Sequence, residues 1–162
     1  MPLLINGQPS KDSWVFVSAQ QIAEQGEALI TASAREDQPT VYPLAYYLAH
    51  RALFTAQAAG IGLLVTGDDD LTALDNVLSE VSLIAIDFAV LRDGRGFSIA
   101  RNIKRRGFKG EVRAVGDVSY DRLDNMQRSG FNAYQIADEN YSADTINAFT
   151  EISVNYQSTH LR

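Results

Sequence analysis

The sequence predicts an α/β fold of repeated βα units that form a mainly parallel sheet, either an open three-layer sheet or half-barrel-like, with a small N-terminal β-hairpin. Two observations carry the prediction. From residue 61 onward, short apolar runs alternate with helical patterns without interruption, the signature of right-handed βαβ crossovers. Three of those runs, Gly-Leu-Leu-Val at 62–65, Leu-Ile-Ala-Ile at 83–86 and Val-Arg-Ala-Val at 112–115, are apolar nearly throughout. Strands look like that when helices cover both sheet faces or ring a half-barrel, and the local pattern is the same for the two.

Taken in order, residues 3–6 and 14–17 read as short strands joined across Gly7-Gln8-Pro9-Ser10, a turn punctuated by Gly and Pro. Ala28 to Thr31 fits a further strand, and Ala34 to Thr40, containing Arg-Glu-Asp-Gln-Pro, fits a loop. Tyr42 to Ala59 has helical spacing, with Pro43 in the first turn, Leu44, Tyr47, Leu48 and Leu53 as the apolar stripe, and Gly60 as the stop. The repeat then runs strand 61–66, helix 70–80, strand 83–87, helix 96–106, strand 111–115, helix 120–129, strand 133–136 and helix 143–156. One domain is expected over 1–162, with 1–40 an N-terminal extension and 41–162 the βα core; that length suffices for a core without disulfides or metal.

Composition narrows the function classes. With 46% hydrophobic and 21% charged residues and no low-complexity tract, the chain is expected to fold throughout. The absence of cysteine removes disulfides, thiolate nucleophiles, zinc–thiolate sites and cysteine-held iron–sulfur clusters. The start, Met1-Pro2-Leu3-Leu4-Ile5-Asn6-Gly7, has no basic segment or long apolar stretch, so cytoplasmic residence without a membrane segment is expected.

A net charge of −6 speaks against nucleic acid and anionic membranes as partners, but the charge is uneven. Residues 92–113 hold eight basic residues, Arg92, Arg95, Arg101, Lys104, Arg105, Arg106, Lys109 and Arg113, against Asp93 and Glu111, a local +6 that leaves −12 for the remainder.

That stretch opens with the candidate site. Asp93-Gly94-Arg95-Gly96 joins a strand to a helix, where glycines permit positive φ or a close backbone approach, and free amides at the helix start with a forked guanidinium favour an anion. The spacing is neither a P-loop nor a dinucleotide fingerprint, since Ile99 stands where a third glycine belongs. Phosphate, sulfate, sulfite or a carboxylate fit, with Asp93, Gly94, Arg95, Gly96, Ser98, Arg101, Arg113 and Asp117 as candidate ligand-binding residues. Along the helix, Phe97, Ala100 and Ile103 face the core and leave Arg101 and Arg105 as a basic ridge; Arg105 and Arg106 are candidate partner contacts.

Asp68, Asp87, Asp117 and Asp138 each close a strand, where they either line a common rim or cap the next helix. Capping is the better reading, as it is for Gly67-Asp68-Asp69-Asp70, which otherwise suggests magnesium; no metal site is expected. His50 and His160 alone make no triad, and Trp14, Tyr42, Tyr46 and Tyr47 read as core rather than a stacking patch.

The blocks Asp93-Gly94-Arg95-Gly96-Phe97-Ser98-x-Ala100-Arg101, Gly110-Glu111-x-Arg113-Ala114-Val115-Gly116-Asp117-Val118 and Arg128-x-Gly130-Phe131-x-Ala133 resemble a bacterial family encoded beside assimilatory sulfite reductase and described as oxidoreductases of sulfite reduction. The likeness is strong over 83–136 and fainter over 41–67, with Ala89 where the family commonly has Pro and Ser129 where it commonly has Cys; without that Cys a thiol mechanism is untenable. The resemblance implies an accessory role in sulfur assimilation with sulfite reductase as partner.

The leading expectation is therefore an accessory protein that binds an oxyanion, the reductase or both through the basic turn. The alternatives are an oxidoreductase holding flavin or nicotinamide at the same turn, with Asp87, Asp93 or Asp117 as acid or base, and a ligand-free homodimeric module.

Overall fold

The computed structural model describes residues 1–56, 60–89 and 93–149. Its strands are β1 (Leu3–Ile5), β2 (Gln8–Ser10), β3 (Val15–Phe16), β4 (Thr40–Pro43), β5 (Ile61–Val65), β6 (Leu83–Phe88), β7 (Glu111–Gly116) and β8 (Ala133–Gln135). The α-helices are α1 (Ala19–Gln25), α2 (Ala28–Glu36), α3 (Leu44–Ala49), α4 (Arg95–Arg105) and α5 (Leu123–Ser129), with short 3-10 turns between them. All strands join one sheet in the order β2-β1-β8-β7-β6-β5-β4-β3. Strands β3 to β8 pair in parallel, while β1 pairs antiparallel with both β2 and β8. The N-terminal hairpin is present, but its second strand is Gln8–Ser10, read from the sequence as the turn, whereas Val15–Phe16, read as that second strand, pairs in parallel with β4 at the opposite edge.

The chain forces this sheet to curl. Ser10 ends one outermost strand and Val15 begins the other. Five Cα steps reach at most about 18 Å. In a flat sheet, seven gaps of about 4.8 Å would hold the two strands about 34 Å apart. The sheet is accordingly a curled half-barrel, and residues 11–14 strap its open side.

Burial follows the curl. Alternate strand residues Leu63, Val65, Ile84, Ile86, Phe88, Val112, Ala114 and Tyr134 point to the helix-covered face and form the main core with Ile99, Ala100 and Ile103 of α4 and Leu123 and Met126 of α5. The other face holds a small cluster of Val41, Leu83, Ala85 and Val115, against which Trp14, Phe16 and Leu64 pack. Gly62 makes room for the Trp14 ring, since a Cβ there would lie 3.2 Å from Cζ3. Helices thus cover one face, and the strap and β3 supply cover on the other.

The N-terminal third departs from the sequence reading. The segment from Ala28 is helix α2, not a strand, because Leu29 and Ile30 bury on one helical face. Thr40–Pro43, read as loop and helix start, is strand β4, paired with β3 and β5, and the helix begins only at Leu44. Helix 70–80 shrinks to a 3-10 turn over Leu71–Asn76, and helix 143–156 to a 3-10 turn over Ala143–Phe149, beyond which the chain lies outside the described residues. Tyr42, Tyr46 and Tyr47 are core, as the sequence suggests.

Candidate functional site: a carboxyl-edge rim and the basic helix

Helix α4 is seated by Phe88, the last residue of β6. Its ring packs on Phe97 at 5.3 Å and Phe131 at 5.7 Å, and the Arg122 guanidinium lies over it at 4.8 Å. Gly96 is required by this packing: a Cβ would fall 2.6 Å from the Phe88 ring. Neither Gly94 nor Gly96 has positive φ; of the two roles expected of these glycines, Gly96 serves close approach, to the Phe88 ring.

The turn holds its own anion. Asp93 accepts hydrogen bonds from the Arg95 amide at 3.0 Å, from Nε at 3.0 Å and from Nη2 at 2.9 Å, while Nη1 donates to Asp68 at 2.6 Å. The guanidinium lies over Gly67, where a Cβ would sit 2.5 Å from Nε. Hydrogen bonds from Arg95 hold the Asp93 carboxyl below the usual carboxylate range. Arg95 was expected to offer a forked donor to a ligand; instead Nε, Nη1, Nη2 and the backbone amide each already donate one hydrogen bond to a carboxylate, although the side chain is 56% exposed.

Arg113 departs further from expectation. It points to the concave face, is 1% exposed, and donates from Nε to Glu111 at 2.7 Å and from Nη1 to Asp12 of the strap at 2.8 Å. Its guanidinium also faces the Phe16 ring at 5.8 Å. One residue of β7 therefore ties the strap to the sheet, because a charge buried on that face needs counter-charges there. The structure does not bring it to the Arg95 turn.

The strand-end acids divide. Asp70 caps the amide of Thr72, as the capping reading expects, whereas Asp69 accepts from the amide and hydroxyl of the preceding Thr66. Asp68 pairs with Arg95, and Asp138 with the amino group of Met1 at 3.6 Å. Asp87 is different: half-buried at the end of β6, it makes no hydrogen bond or ion pair with described residues, and burial pushes its pKa up. Gly116, in positive φ of 83°, leaves space for it, since a Cβ there would lie 2.5 Å from Asp87 Oδ1. Asp117 follows on the same edge, its amide donating to the Phe88 carbonyl at 2.9 Å and its carbonyl accepting from Arg122.

The remaining basic residues gather on α4 and just beyond it. Arg106, an expected partner contact, pairs with Asp75 at 2.8 Å. Arg105 and Lys109 are exposed, Arg101 is partly exposed with a buried Nε lacking a partner, and none of the three pairs with a described carboxylate. Lys104 lies against Gly130, and burial, then the charge of Lys109, lowers its pKa. Ser98 is exposed on the same helix, and Arg92 lies outside the described residues.

A second polar cluster went unread in the sequence. Tyr47 donates to Glu80 at 2.5 Å, and Arg51 pairs with the same carboxylate, beside a cavity of about 570 Å³ lined also by Phe54 and Ile61. Its members are 33 and 29 positions apart in sequence, so no local motif could have announced it.

Among the described residues no group of three metal-ligating side chains gathers, and no helix is long and apolar enough to cross a membrane.

Fold and rim together define an α/β half-barrel with its helices on one face and a buried arginine bridging the other. The chain belongs to the bacterial family of unknown function DUF934, which matches residues 62–162. The match spans β6 to β8, β5 from its second residue, and every candidate residue from Asp68 to Asp117. No curated protein and no solved structure matches the chain.

Proposed function

We propose that this chain is an accessory binding protein whose α4 face engages an acidic partner, with sulfite reductase the partner that the sequence resemblance implies. One observation carries the reading. Arg51, Arg95, Arg106, Arg113 and Arg128 each hold a carboxylate, whereas Arg101, Lys104, Arg105 and Lys109 hold none among the described residues and fall within nine positions of one another. On a chain of net charge −6, neighbouring cations left unpaired cost helix stability at i, i+4 spacing, and an acidic surface would offset that cost.

The test is titration of the purified protein into assimilatory sulfite reductase, followed by calorimetry at rising salt. Saturable binding that weakens with salt and is lost in the Arg101→Glu/Arg105→Glu variant supports the reading. Absence of binding to the reductase in low salt removes it. Deleting the gene should slow growth on sulfate but not on cysteine.

A second reading, a small oxyanion at the turn, draws on the exposure of Asp68, 85% against 56% for Arg95. An ion pair so exposed is screened by solvent and contributes little, so a ligand anion can take its place on Nη1. Sulfite or sulfate should then raise the melting temperature of Asp68→Ala more than that of the parent; equal response in both ends this reading. A flavin or nicotinamide at the same turn would need the amide that Asp93 already occupies, and a colourless preparation indifferent to either cofactor disposes of it.

A further inference from the structure

The turn that follows α4 does more than carry charge. Arg106, Gly107, Phe108, Lys109 and Gly110 form one wall of a cleft of about 370 Å³, and Leu78, Ser79 and Val81, which precede β6, form the other. Its floor is apolar: Phe108 is 6% exposed and Val81 7%, with Leu78 partly buried beside them. Gly107 keeps the entrance open, its positive φ of 86° turning the chain away and nothing lying within 4 Å of where a Cβ would stand. Of the two cations on the wall, Arg106 is neutralised by Asp75, while Lys109 is exposed without a carboxylate, as is Arg105 on the last turn of α4.

We propose that this cleft receives one apolar side chain of an acidic segment in the partner protein, with carboxylates on either side of it meeting Lys109 and Arg105. The proposal rests on the acidic-partner reading above and names what the partner must present. Charge complementarity selects the occupant: an apolar floor with unpaired Lys109 on its wall and unpaired Arg105 on the adjoining end of α4 rejects a basic segment and gives an acidic one a central anchor, the arrangement in which a single buried side chain dominates binding. The volume is at the small end of the range for ligand pockets and suits one side chain rather than a cofactor.

Fluorescence anisotropy with two labelled peptides tests it directly. One is Glu-Asp-Phe-Asp-Glu and the other has Ala in place of Phe. The Phe peptide should bind about tenfold or more tightly, the ratio expected from burying one large apolar side chain. Ser79→Trp, an exposed position where a bulky side chain fills the cleft, should abolish the difference, and Lys109→Glu should weaken both peptides. Arg35→Glu, an exposed site on α2 with the same change of charge, should alter neither.

Equal affinity of the two peptides, or no binding of either, overturns the proposal, as does a Phe preference that survives Ser79→Trp. If the peptides behave as stated but the reductase does not bind, the cleft stands and only the partner's identity falls. If the reductase binds through Arg101 and Arg105 and Ser79→Trp leaves that unchanged, the accessory role stands and the cleft falls.

Discussion

Replacing Arg113 with methionine tests the feature on which the concave face depends. Methionine keeps much of the side-chain volume but removes the charge, leaving Asp12 and Glu111 facing a site with no cation. Breaking a fully buried pair from one side costs about 3–5 kcal/mol. Here the two carboxylates retain 26% and 17% exposure and can recover part of their hydration, which puts the loss at the low end. Losing the contact with the Phe16 ring adds about 0.5 kcal/mol. The total of about 3 kcal/mol corresponds to a drop in melting temperature of about 6–12 °C for a chain of this size. Urea unfolding followed by circular dichroism measures the loss. The single tryptophan, Trp14, is the last residue of the strap and packs on the sheet, so its fluorescence reports release of the strap. Adding Asp12→Asn and Glu111→Gln to Arg113→Met should restore at least half of the lost stability, because no orphaned charge then remains. A single-variant loss below about 1 kcal/mol, or no recovery in the triple variant, would show that the ion cluster does not hold the strap.

Further outcomes follow from other sites. Asp87 has a folded pKa raised by burial, so it disfavours the folded state once pH rises above its unfolded value and through the folded one; Asp87→Asn should raise the melting temperature at pH 7 and leave it unchanged near pH 3, as read by calorimetry. Burial and the hydrogen bond to Glu80 push Tyr47 up to about 12, so the favourable state persists below the tyrosine reference pKa near 10 and is lost between pH 10 and 12. Absorbance at about 295 nm should show this late titration, and Tyr47→Phe should remove one late-titrating group. Residues 62–162 expressed alone expose β5 where β4 pairs and β8 where β1 pairs, and leave Arg113 without Asp12. That fragment should aggregate in gel filtration and lack a cooperative thermal transition.

The βα core was legible because each of its strands is an apolar run ended by a turn residue and followed by helical spacing, as Leu83–Phe88 and Arg95–Arg105 illustrate. The N-terminal third was not, because Thr40–Pro43 becomes a strand through pairing with β3 and β5, and nothing local distinguishes it from a loop. At the candidate site the sequence placed Asp93, Gly94, Arg95 and Gly96 on one strand-to-helix turn; in the structure Gly94 is the N-cap of α4, and Arg95 and Gly96 are its first two residues. It missed that Asp68, 27 positions away, completes the pairing of Arg95, and that alternation along β7 sends Arg113 to the face opposite α4. Even there a signal existed: an arginine within an apolar strand needs a carboxylate from some other segment, and the short N-terminal stretch offered Asp12.

The pairing of β1 with β8 also sets an order of events during synthesis. Leu3 meets Gln135, so β1 leaves the ribosome with no strand on that side until a further 132 residues have been made. Residues 11–14 are equally early, yet the arginine that secures Asp12 arrives 101 positions later. Contacts of such separation slow folding, and while they are awaited an emerging chain carries unpaired edges that invite association with neighbours. Nascent chains of this protein should consequently be clients of ribosome-bound chaperones until β8 has emerged.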